Sequence, residues 1–172
     1  MGIFHRYQST IHGNYRQAYL RGGLLTGALL VLYLLARLLM GAPVQSPVSY
    51  ISDAVMLVLV VLFTAYYRNS LPEGKITLKE AMLFGMGTAV VGAAVYGISL
   101  WIVGLIFPQQ AVIFTGTMAG VEIPQTDSQI QYWAALWGIV GGVSLMIVGA
   151  FGAFLASIFF RNEKSEIKHK KS

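Results

Sequence analysis

Cysteine is absent from the chain, and that alone excludes a disulfide framework, a thiolate nucleophile and a Cys-ligated metal. Charge is nearly as scarce. Asp, Glu, Lys and Arg supply 11% of the residues, where a soluble domain carries about 25%. The three histidines, His5, His12 and His169, lie in the terminal segments without a second ligand at metal spacing, so neither zinc nor haem is expected. No glycine loop sits between a strand and a helix to cradle a phosphate. Nor do the polar residues assemble into a nucleophile with its base and orienting acid. The expectation is a protein with no cofactor and no metal, and not an enzyme.

What remains is apolar. Hydrophobic residues make up 56% of the 172, and mean hydropathy is +0.65, a composition of the membrane class. From Ala81 to Phe107 no residue is charged, a run longer than the roughly 20 apolar residues that cross a bilayer. Such runs predict four spans, near residues 22–40, 48–67, 78–107 and 130–160. The expected fold class is therefore all-α, a single-domain integral membrane bundle of four transmembrane helices. Gly41-Ala42-Pro43 stops the first span and Pro108 the third. Thr77-x-x-Glu80 and Thr126-x-x-Gln129 are capping-box signatures that open the third and fourth helices. Asp127 reads as a further cap and Glu122 as a solvated loop residue. The connection 108–129 is half apolar in its middle and reads as a short hairpin or an interfacial segment.

At the N-terminus Tyr7, Ile11, Tyr15 and Tyr19 recur every four residues among His5, Arg6, Arg16 and Arg21. Residues 1–20 read either as a helix lying in the headgroup region or as a flexible tail, with Gly13-Asn14 as a break. They do not read as a cleavable signal peptide, because the first apolar run begins only after Arg21. Residues 161–172 form a basic tail. Of the 12 Lys and Arg residues, all but Arg37 fall in the N-terminal segment, the 68–80 connection or that tail. Four spans put these three regions on one side, so the positive-inside rule places both termini in the cytoplasm. This placement accounts for the net charge of +5 without nucleic acid, and membrane lipids are the partner it implies.

Two features inside the spans stand out. Arg37 and Asp53 are the ionisable residues there, at similar depth on antiparallel neighbours, where they can form an intramembrane ion pair. Charged residues in a bilayer are costly and mark function by default. The plainer alternative is that Arg37 snorkels to the headgroups while Asp53 sits near its helix start. The second feature is a set of small-residue stripes that let helices approach closely in lipid. The third span carries Gly85, Ala89, Ala93 and Gly97; the fourth carries Ala134, Gly138 and Gly142, then Gly149 and Ala153. Packing within the bundle uses such stripes. Two registers on the fourth helix exceed what one neighbour requires, so a surface for another membrane protein or a second copy is expected.

The turn Tyr67-Arg68 … Gly74-Lys75-Ile76-Thr77 … Ala81 … Gly85, followed by a long third span ending at Pro108, resembles a bacterial family of small four-helix membrane proteins catalogued as domain of unknown function 4199. The resemblance implies the same four-span architecture, a place in the bacterial inner membrane, and as a partner a polyprenyl-phosphate glycosyltransferase. The expected function is an accessory or scaffold subunit of a membrane complex. The alternative is a small oligomeric transporter or lipid-handling protein that uses Arg37 and Asp53.

Overall fold

Thr77 starts the central helix as its spacing requires. Its Oγ1 accepts the Glu80 N–H at 3.2 Å, and its own N–H donates to Glu80 Oε2 at 3.0 Å. That reciprocal pair satisfies donors a helix start leaves orphaned. A computed structural model describes residues 2–40, 50–71, 76–107 and 126–160, with side chains in the first helix from Tyr15 onward. These residues form four helices: α1 (Gly2–Leu39), α2 (Tyr50–Asn69), α3 (Leu78–Ile106) and α4 (Asp127–Phe160). All four are long and apolar enough to cross a membrane. The chain is a multi-pass, all-helical membrane bundle.

Helix ends follow local chemistry. Phe107 leaves helical geometry at φ −125°, ψ 70° while its N–H still reaches Val103 O at 2.7 Å; Pro108 next in sequence disfavours the helical region for the residue before it. Thr126 caps α4, with the Gln129 N–H donating to its Oγ1 at 3.4 Å and its own N–H donating to Gln129 Oε1 at 3.3 Å. Asp127, expected as a cap, is instead the first residue of α4, where its charge complements the positive end of the helix dipole. At the end of α2, the Ser70 hydroxyl donates to Tyr66 O at 2.9 Å.

The first helix differs from expectation. α1 runs unbroken from Gly2 through Gly13-Asn14, so the break expected there does not occur. One glycine costs a helix only about 1 kcal/mol, and packing just beyond it offsets that. Tyr15 and Tyr19 lie 5.8 Å apart edge to face, and Tyr15 sits 5.7 Å from Tyr67 and 6.1 Å from Phe84. Tyr67 stacks on Phe84 at 4.3 Å. This aromatic knot ties α1, the end of α2 and the start of α3 together.

α3 packs against all three other helices, whereas α1 and α4 do not meet among the described residues. Contacts fix the relative directions. Gly22 of α1 faces Thr88, and Gly27 faces Val95, so α1 and α3 run parallel. Gly85 faces Ala153 and Gly104 faces Ala134, so α3 and α4 run antiparallel. Arg68 lies over the Phe160 ring at 5.8 Å, so the end of α4 returns to the end where α3 begins. The connections 41–49 and 108–125 and the tail 161–172 lie outside the described residues, and with them the expected hairpin or interfacial segment.

Candidate functional site

The small-residue stripes meet each other. A Cβ on Gly97 would stand 2.8 Å from Gly138 O, and one on Gly138 2.7 Å from Gly97 O, so at this crossing only glycine permits the observed backbone approach. Gly142 lies over Ala93, Gly149 over Ala89, and Ala153 over Gly85. Both registers of α4 are thus occupied by α3. The spare stripe expected for a partner is used internally, because α3 and α4 stay in contact along almost their whole length.

The outer side of that contact is different. Where the two glycine-rich backbones touch, the flanking side chains stand apart and leave an open apolar groove of about 460 Å³. Gly97, Gly138 and Gly142 form its floor, with Ile98, Trp101 and Ile139 among the walls. Trp101 is 45% and Ile139 64% exposed. Nothing polar enters the groove to bind a charged ligand.

Polar groups gather on the opposite side of α3. Arg37 is buried, as are Ser52 and Tyr96. Tyr96 and Ser52 share a side-chain hydrogen bond, and the Tyr96 hydroxyl lies within the electrostatic reach of Arg37, Asp53 and Tyr33. Tyr33 and Arg37 stand one turn apart on α1, while Ser52 and Asp53 lie in the first turn of α2. Arg37 is therefore packed inside rather than reaching for headgroups. Helical side chains lean toward their N-terminus, which aims the guanidinium down from the end of α1 toward Tyr96. Tyr96 is 18 residues past Leu78, about 27 Å along α3 and slightly beyond its middle. Arg37 and Asp53, expected as an ion pair, thus both lie around Tyr96, together with Ser52 and Tyr33. Tyr96 and Tyr33 were missed by sequence reasoning; Tyr33 carried a usable signal, standing four residues before Arg37 on the same face.

Below this cluster the interior of α1, α2 and α3 is filled by apolar side chains. Leu30, Met56 and Val60 are each fully buried. The buried hydroxyls of Thr26 and Thr64 donate at 2.8 Å to carbonyls one turn back, Gly22 O and Val60 O. Such bonds satisfy a hydroxyl where no water is at hand. Among the described residues Thr88 Oγ1 alone is buried with no hydrogen-bond partner.

The two ends of the bundle differ in charge. Arg16, Arg21, Arg68 and Lys79 mark the end where α1 enters and α3 begins. At the other end Asp127, Ser128 and Gln129 are exposed, with Tyr132 and Trp133 paired at 5.5 Å, and no described residue of the first turns of α4 is basic. Among the described residues no three His, Cys, Asp or Glu side chains gather where a metal could be held. Comparison with protein-family models, with curated proteins and with solved structures gives no match.

Proposed function

We propose that this chain is a non-enzymatic accessory or scaffold subunit of a membrane complex, seated in the bacterial inner membrane with both termini in the cytoplasm. One observation carries the reading: the α3–α4 groove is open to lipid, apolar throughout and floored by glycine. In lipid no hydrophobic force drives helices together, so close backbone approach over small residues is what favours association. A transmembrane helix of a larger protein, or of a second copy, is the occupant. The family resemblance of the 67–85 turn points to a polyprenyl-phosphate glycosyltransferase as that larger protein. Purification from membranes in mild detergent, followed by mass spectrometry, should recover a partner or a dimer. Gly142→Leu, which fills the groove floor, should release it. A lone monomer from the native membrane would reject the proposal.

A second reading is favoured by the burial of Arg37 beside Tyr96 and Asp53. In it, several copies assemble into a small transporter or lipid-handling protein, with this cluster lining the route. Replacing Arg37 with Met and Asp53 with Asn should then abolish flux in proteoliposomes while the helices stay folded. Unchanged flux rejects this reading.

A further inference from the structure

Arg21 is deeper than the other described basic residues at its end of the bundle, Arg16, Arg68 and Lys79. Its neighbour Gly22 packs against Thr88 and Phe63. Thr88 is ten residues past Leu78 and Phe63 is six before Asn69, which sets Arg21 about 9–15 Å inside the bundle end. Arg68 and Lys79 sit at that end itself. The Arg21 side chain is exposed, on the same outward face as Leu20, Leu24 and Leu25, each at least 37% exposed. Among the described residues neither Arg21 nor Arg16 has a hydrogen bond, ion pair or ring contact. No Asp or Glu occurs in residues 1–20.

A guanidinium facing lipid is costly without an anion beside it, and among the described residues none is paired with Arg21, so a lipid phosphate is the anion that suits it. The direction of the side chain says where. Arg21 leans toward the start of α1, and its long stem carries the charge to the level of the lipid phosphates. Arg16, also exposed, stands five residues nearer that end, about 140° around the helix, with Gln17 and Leu20 in the arc between. A phosphate over that arc is within reach of both forks, and guanidinium binds phosphate with paired, charge-assisted hydrogen bonds. Two adjacent cations repel the cationic headgroup of a zwitterionic lipid. The leucine face continuing through Leu29 and Leu32 suits acyl chains.

We propose that Arg16 and Arg21 form a site for one anionic phospholipid of the adjoining leaflet, with its phosphate between the two guanidiniums and its chains along the leucine face of α1. The site is independent of what occupies the α3–α4 groove. Native mass spectrometry of the detergent-purified chain, titrated with phosphatidylglycerol or phosphatidylcholine, tests it. The wild type should retain phosphatidylglycerol in preference. Arg21→Gln should weaken that retention about tenfold, the worth of one lost charge-assisted bond, with Arg16→Gln/Arg21→Gln weaker still and Arg21→Lys intermediate. Lys79→Gln should bind as wild type, and thermal melting confirms that each variant is folded. Equal retention of both lipids, or wild-type retention by the double variant, overturns the proposal. So does displacement of the lipid by inorganic phosphate alone, or loss of a co-purified protein rather than of lipid from Arg21→Gln.

Discussion

Gly97→Ala adds one methyl group where α3 crosses α4. Its Cβ would lie 2.8 Å from the Gly138 carbonyl oxygen, whereas ordinary contact begins at 3.4 Å, so the helices must part locally by about 0.6 Å (3.4 − 2.8). The obstacle is backbone and has no rotamer to adopt. A gap of about 0.5–1 Å forfeits a quarter to a half of the dispersion energy of the facing atoms, and overpacking costs about 1–3 kcal/mol. Alanine returns about 1 kcal/mol of helix propensity. The balance is a loss of about 0–2 kcal/mol, or a Tm lower by up to roughly 8 °C in a domain of this size. Gly142→Ala is the matched control. Its Cβ would meet Ala93 O at 3.4 Å and Gly97 Cα at 3.5 Å, both ordinary contacts. That variant keeps the propensity gain and should melt at or above the wild type. Gly97→Ala/Gly138→Ala should cost less than the sum of its parts, since one separation serves both methyl groups. Thermal unfolding in mild detergent, followed by tryptophan fluorescence, reads the wild type, the three single variants (Gly138→Ala included) and the double variant. A Gly97→Ala variant as stable as Gly142→Ala would refute the account of this crossing.

Other outcomes follow from the same geometry. Arg37→Met leaves the polar cluster without its cation and should lower the melting temperature, part of the loss being recovered in Arg37→Met/Asp53→Asn; strictly additive losses in thermal melts would show that the two side chains do not sense each other. Thr88→Val removes the buried hydroxyl that has no partner and should stabilise the fold by about 1 kcal/mol, whereas a lower melting temperature would mean that the hydroxyl is bonded. Thr77→Ala should cost about 1 kcal/mol through loss of the α3 cap, and an unchanged melt would count against that cap.

Features held within a single helix could be read from its residues. Both capping boxes lie where Thr77 and Thr126 announce them, and the stripes on α3 and α4 do face other helices. Features that depend on the axial offset between helices could not. Nothing in the apolar run after Arg21 says that Gly22 will sit opposite Thr88, ten residues into α3, so Arg21 counts with the terminal segment until packing sets its depth. Tyr96 is similar. A tyrosine amid apolar residues is ambiguous until the start of α2 and the end of α1 converge beside it. The unbroken course of α1 through Gly13-Asn14 also depends on a distant event, the docking of Tyr15 and Tyr19 against α2 and α3. The use of both α4 registers by one neighbour reflects the length of that contact, which periodicity does not measure.

The proposed orientation puts the basic end of the four-helix bundle in the cytoplasm. A chain without cysteine makes each introduced thiol unique. Single-cysteine variants Ser70→Cys, at the basic end, and Ser128→Cys, at the other, are both placed at exposed positions. Treatment of intact spheroplasts with a membrane-impermeant maleimide should label Ser128→Cys at once and Ser70→Cys only after permeabilisation. Labelling of both from outside, or of Ser70→Cys alone, would contradict the account.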